Sequence, residues 1–141
     1  MIKDIPENAG QSTDSPLSIL LQRQVLEMND DGTSVVSFCI PDTFLNLQGV
    51  LHGGAFATML DTACGVAIRG QLDMSVYGGS STLELKTSYL KSGEPGDYIA
   101  KGYVRRAGKS IAFVDADLFD AAGQLVGRAS ATFKLRLRKS A

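Results

Sequence analysis

The stretch NLQGVLHGG at residues 46–54, running into AFATMLDTACGVAI at 55–68, governs how this chain is read. Its second half has a helical rhythm. Phe56, Met59, Leu60, Ala63 and Ala67 recur at i, i+3, i+4, i+7 and i+11, one continuous face of an α-helix predicted over 54–69. A second side built of Ala57, Asp61, Cys64 and Ile68 is also mostly non-polar, so the helix is expected to be enclosed nearly all round. Asp61 is the single carboxylate in this segment. Taking an unpaired carboxylate out of water is costly, so an acid there calls for a partner or a chemical task. Gly53 and Gly54 add a second clue: without side chains they let a ligand approach backbone N–H groups at the positive end of the helix dipole. An acid beside an oxyanion site suggests acyl chemistry.

Working outward, four strand-like runs follow without another helical period, at 80–90, 97–106, 110–119 and 124–138. The last alternates most clearly, with Leu125, Gly127, Ala129, Ala131, Phe133, Leu135 and Leu137 on one face. Turns at 92–96, 107–109 and 120–123 are short enough to make neighbouring strands antiparallel. Upstream, 33–40 is β-branched and reads as a strand ended by Pro41, with Val36, Phe38 and Ile40 set loosely against Ser34, Ser37 and Cys39. Residues 16–28 suit a short helix or the lead into a strand. The polar segment 1–15 is expected to be a mobile arm, leaving 16–141 as one domain. One long helix and a strand meander imply an α+β fold in which a curved antiparallel sheet wraps the helix. A single sheet covers only part of the helix, so an identical chain around a two-fold axis is the simplest expected partner.

Bulk properties narrow the function classes. A net charge of −1 and a pI near 5.7 argue against nucleic-acid binding. No apolar run approaches membrane-spanning length and the start of the chain lacks a signal-peptide pattern, so a soluble, cytoplasmic protein without a membrane partner is expected. Cys39 and Cys64 have no metal-ligand spacing and read as reduced core thiols, so no metal is expected.

The pattern N-x-x-G-x-x-H-G-G, an acid nine residues after the histidine, and the later run SSTLELKTSYL at 80–90 together resemble the hotdog-fold acyl-CoA thioesterases of the phenylacetate-pathway type, over about residues 30–137. The resemblance implies metal-free hydrolysis of an acyl-CoA thioester in a site between two subunits. It implies no cofactor, coenzyme A being part of the substrate, and a homodimer as minimal unit that pairs into a dimer of dimers. Many relatives carry Arg-Pro after the tyrosine-containing strand; here Leu90 is followed by Lys91 and Ser92.

Roles follow residue by residue. Asp61 acts as nucleophile toward the thioester carbonyl or as general base for a water, two roles that sequence leaves open. Gly53 aims its N–H at the thioester oxygen, with Gly54 beside it. His52, the only histidine, fixes the loop before the helix or supports the thioester. Asn46 resembles the residue that hydrogen-bonds water or substrate near the reaction centre, or else forms a turn; Thr82 matches the position that holds the attacking water. Arg106, Gly108, Lys109 and Ser110 surround a turn where family members meet coenzyme A phosphates. Phe44, Leu45, Leu47 and Tyr77 line an acyl pocket or simply pack. Asp61 lies eight residues beyond Gly53, about 12 Å along a helix axis, so the two meet one carbonyl most easily if they come from different subunits. Two rivals are a non-catalytic acyl-CoA-binding module, which has no use for Asp61, and a 3-hydroxyacyl thioester dehydratase, in which a catalytic histidine works with an acid.

Overall fold

A computed structural model describes residues 15–139. The elements run α1 (Pro16–Leu20), β1 (Gln24–Met28), β2 (Thr33–Ile40), a 3-10 turn (Asp42–Phe44), α2 (Gly53–Gln71), β3 (Tyr77–Tyr89), β4 (Gly96–Ala107), β5 (Ile111–Phe119) and β6 (Leu125–Leu137). All six strands form one antiparallel sheet in the order β1-β2-β4-β5-β6-β3, and it wraps α2. The expected α+β architecture is therefore the observed one. Residues 16–28 hold both a one-turn helix and an edge strand. The expected arm lies outside the described residues except for Ser15, whose Oγ accepts the Ser18 N–H at 3.2 Å and caps α1.

Phe56, Met59, Leu60, Ala63 and Ala67 are fully buried against the sheet, where each large side chain contributes about 1.5–3 kcal/mol. Cys64 and Ile68 join them, so the second side of α2 is not uniform. Its outward stripe consists of Gly54, Thr58, Asp61, Thr62, Gly65 and Arg69, all half-buried or exposed. The reason is spacing: Cys64 and Ile68 lie one and five residues past Ala63, on the edge of the core face rather than opposite it.

Strand β2 corrects a second expectation. Ser34 lies on the buried face with Val36, Phe38 and Ile40, because alternation within a strand is strict. Its hydroxyl donates to the Ala63 carbonyl (2.8 Å) and accepts the Gly102 N–H (3.2 Å), so the polar group is satisfied inside the core. In β6 the alternation holds from Gly127 to Leu135. It fails at Val126, which a bulge inserts between the Gly127 and Leu125 pairings and buries completely. Among the described residues no helix is long and apolar enough to cross a membrane.

Candidate active site

The site grows from the N-terminus of α2. The loop before it is tied by backbone bonds from His52 to the Phe44 carbonyl (2.7 Å) and from Leu51 to the Gly93 carbonyl (2.8 Å). Asn46 closes the loop's tip. Its Oδ1 accepts the amides of Gln48 (2.9 Å) and Val50 (3.3 Å), and Gly49, at φ +79°, returns an N–H to the Asn46 carbonyl. The Asn46 side-chain oxygen is thus engaged in shaping the turn. Leu47 stands fully in solvent at that tip and packs on nothing in this chain.

His52 is the N-cap of α2, and its Nδ1 accepts the Gly54 N–H at 2.9 Å. That bond assigns the proton of the neutral ring to Nε2. It also occupies the Gly54 amide, so the two glycines are not equivalent. The Gly53 amide belongs to the first helical turn, which has no intrahelical acceptor, and none of the described residues accepts from it. The Gly53 carbonyl, by contrast, accepts the Tyr89 hydroxyl at 3.1 Å.

Asp61 is half-buried on the outward stripe of α2, and Thr82 Oγ1 donates to its Oδ1 at 2.7 Å. No other described group donates to this carboxylate. One turn further, the Cys64 thiol is fully buried and pushed up to about 12, first by burial and then by the charges of Asp61 and Asp115. A thiol so held is inert as a nucleophile.

Strand β3 serves both ends of the site through an irregularity. Thr82 pairs with Phe133 and Glu84 with Thr132, so Leu83 is an unpaired bulge residue, 60 % exposed. Before the bulge the even-numbered Ser80 and Thr82 face α2; after it the odd-numbered Leu85, Thr87 and Tyr89 do, opposite Ala131, Ala129 and Gly127. Without that switch Thr82 and Tyr89, of opposite parity, could not both reach the same helix.

The turn expected to meet phosphates lies elsewhere. Arg106, Gly108, Lys109 and Ser110 are all exposed at the β4–β5 hairpin. The Tyr77 hydroxyl donates to the Lys109 carbonyl (2.9 Å), which ties this hairpin to the start of β3, near where α2 ends. Tyr77 therefore braces the hairpin and packs against the core. The Gly108 amide is not open to an anion, since it closes the hairpin on the Ile111 carbonyl (2.8 Å). Arg106 and Lys109 make no ion pair among the described residues, so their charges face solvent. Gly53 and this hairpin sit at opposite ends of a 19-residue helix. The structure thus joins Asp61 to Thr82 and His52 to Gly54, and it keeps Gly53, Asp61 and the hairpin apart within one chain. Sequence reasoning missed Tyr89 and the bulge; the only trace was an odd spacing of seven between two helix-facing positions.

Residues 48–127 match the family model described as the thioesterase superfamily. A candidate esterase of Saccharolobus solfataricus is 30 % identical over 100 residues, covering 71 % of this chain and 69 % of that protein. One from Halobacterium salinarum is 41 % identical over 64 residues, 45 % of this chain and 42 % of its own length, so the match spans less than half of that relative. Among solved structures, a phenylacetic acid degradation-related candidate thioesterase of Ralstonia eutropha superposes with a TM-score of 0.80 at 24 % identity, covering 89 % of this chain and 94 % of that one. At that identity the likeness speaks for the fold, which is the hotdog fold.

Proposed function

We propose that this chain, which belongs to the thioesterase superfamily, is an acyl-CoA thioesterase similar to those of the phenylacetate-pathway type and hydrolyses an acyl-CoA thioester to free acid and coenzyme A. The observation that carries the reading is the Thr82–Asp61 hydrogen bond on the outward stripe of α2. A carboxylate held by one hydroxyl, with its remaining lone pairs unengaged by the protein, is suited to take a proton from water or to attack a carbonyl itself. The Gly53 amide supplies the complementary half, a donor aimed out of a helix N-terminus where a thioester oxygen gains charge. His52 contributes by capping and by occupying the neighbouring amide, not by proton transfer.

The working unit is a homodimer with a composite site. Three features support it. Asp61 lies about 12 Å from Gly53 along the helix axis, too far for one carbonyl. The basic hairpin at Arg106 and Lys109 lies beyond the opposite end of α2 from Gly53 and becomes useful to a substrate only when another chain brings it round. Finally, β3 is a 13-residue edge strand with exposed Leu83 and Tyr89, an open ladder that invites pairing with its own copy. Two such dimers pairing again would give the tetramer expected of this type.

The test is a panel of phenylacetyl, hydroxybenzoyl, medium-chain and short-chain CoA thioesters, followed by thiol release. Hydrolysis of at least one by the wild type, lost in Asp61→Asn, is the expected result. Formation of an enoyl thioester without thiol would assign the dehydratase reaction instead, and equal turnover by Asp61→Asn would remove the carboxylate from the chemistry.

A further inference from the structure

We infer that Tyr89 is a positioning residue for the thioester-binding amide of Gly53, an inference that rests on the hydrolase reading above. The peptide joining Gly53 to Gly54 is held at both ends: its oxygen, the first carbonyl of α2 and so an acceptor of the helix bond from Ala57, also accepts the Tyr89 hydroxyl at 3.1 Å, and its N–H donates to His52 Nδ1 at 2.9 Å. A peptide unit is planar, so fixing oxygen and hydrogen fixes the plane. The preceding peptide is anchored too, because the His52 carbonyl accepts the Ala55 N–H at 2.9 Å. Between two fixed planes the Gly53 N–H has one direction left. Glycine otherwise has the widest backbone freedom of any residue, and in a first helical turn no intrahelical bond restrains its amide.

Tyr89 is placed for this task. The bulge at Leu83 turns it toward α2, and its strand partner is Gly127, which leaves room for the Phe56 ring, an added Cβ there standing 3.3 Å from it. The ring lies against Gly53, where a Cβ would stand 3.2 Å from its atoms, and packs tilted on the buried Phe56 with centroids 5.8 Å apart. At 55 % exposure the side chain adds little to the core, so its hydroxyl bond is its specific contribution.

Tyr89→Phe keeps the ring and removes only that bond. Misplacing a reacting group by a fraction of an ångström is felt in the transition state, so kcat should fall about tenfold or more while KM stays within about twofold. The thermal midpoint should hold. Hydrogen exchange of the Gly54 amide, read by NMR without substrate, should quicken about fivefold or more as the clamp loosens. An active wild type with an unimpaired Tyr89→Phe, or a Gly54 amide that exchanges at the wild-type rate, overturns the positioning role alone. A wild type that releases thiol from no acyl-CoA ends the hydrolase reading and this role with it.

Discussion

Thr82 Oγ1 donates to Asp61 Oδ1 across 2.7 Å, coupling the edge strand β3 to the middle of the central helix. The hydroxyl orients the carboxylate and, having donated its only proton, still has lone pairs for a water beside Oδ2. Asp61→Asn is expected to keep fold and assembly and to lower kcat by at least about a hundredfold. Thr82→Val, which keeps the branched shape, removes a charge-assisted bond worth about 1.5–3 kcal/mol and should cost turnover about tenfold or more. Thr82→Ser should retain most of it. Steady-state thiol release checks all three, and a Thr82→Val enzyme as fast as wild type would show that the bond is merely structural.

Gly102 sets how closely the helix approaches the sheet. A Cβ there would overlap the Ala63 carbonyl oxygen and come within 2.6 Å of Ser34 Oγ, and both are held in place by the Ser34–Ala63 hydrogen bond. The obstacle is backbone, which cannot swing aside. Gly102→Ala is therefore expected to destabilise the fold by about 1–3 kcal/mol, seen as a lower urea midpoint at unchanged slope. Ser34→Ala removes the hydroxyl's two buried bonds, to the Ala63 carbonyl and from the Gly102 amide, and should cost about 1–3 kcal/mol. Because they share partners, the double variant should be non-additive.

The helix, the four later strands and their antiparallel order were legible because Phe56, Met59, Leu60 and Ala63 carry a 3.6-residue period and Ala129, Ala131, Phe133 and Leu135 a period of two. Asp61 stood out because it is the single carboxylate in an otherwise uncharged helical segment. Bulges left no comparable trace. Leu83 and Val126 are ordinary strand formers, and nothing in their identity says that pairing skips them; only the sheet's hydrogen-bond register does. The same blindness hid Tyr89, which by uninterrupted alternation from Thr82 would face away from α2. Polarity is a poor guide at Ser34, since a serine with two backbone partners is as much at home in the core as a valine. At Gly108 the sequence shows a glycine turn but not that the turn closes the amide on the Ile111 carbonyl.

Cys64 gives a pH signature. Its folded-state thiol is raised to about 12 by burial and by the nearby Asp61 and Asp115 charges, against 9.0 for an ordinary thiol. Below that ordinary value both folded and unfolded chains hold the proton, and stability is indifferent to pH on this account. Between about 9 and 12 the unfolded chain releases it and the folded chain does not, so stability falls as pH rises. Tyr98, whose phenol is also raised, chiefly by burial, acts in the same direction. Urea midpoints at pH 8 to 11 should decline in wild type and less steeply in Cys64→Ala. In native protein at pH 8 a thiol reagent should leave Cys64 unlabelled until the chain unfolds.

The composite site makes a prediction that no single-chain site shares. Gly53→Pro removes the amide with little backbone disturbance, because proline is favoured in the first turn of a helix and His52, at φ −58° and ψ 137°, already has the extended conformation that precedes proline, although the half-exposed Tyr89 ring, 3.2 Å from an added Cβ, must shift by a few tenths of an ångström. Gly53→Pro and Asp61→Asn should each be inactive alone. In a mixed dimer one site combines the intact Gly53 of the Asp61→Asn chain with the intact Asp61 of the Gly53→Pro chain, and the other site carries both lesions. Random reassortment places half of the dimers in that state, so unfolding and refolding the two together should restore about one quarter of wild-type turnover. Recovery must follow subunit exchange and vanish when the variants are mixed without it. No recovery after verified exchange would place Gly53 and Asp61 in the same subunit's site and require α2 to bend far from its observed course.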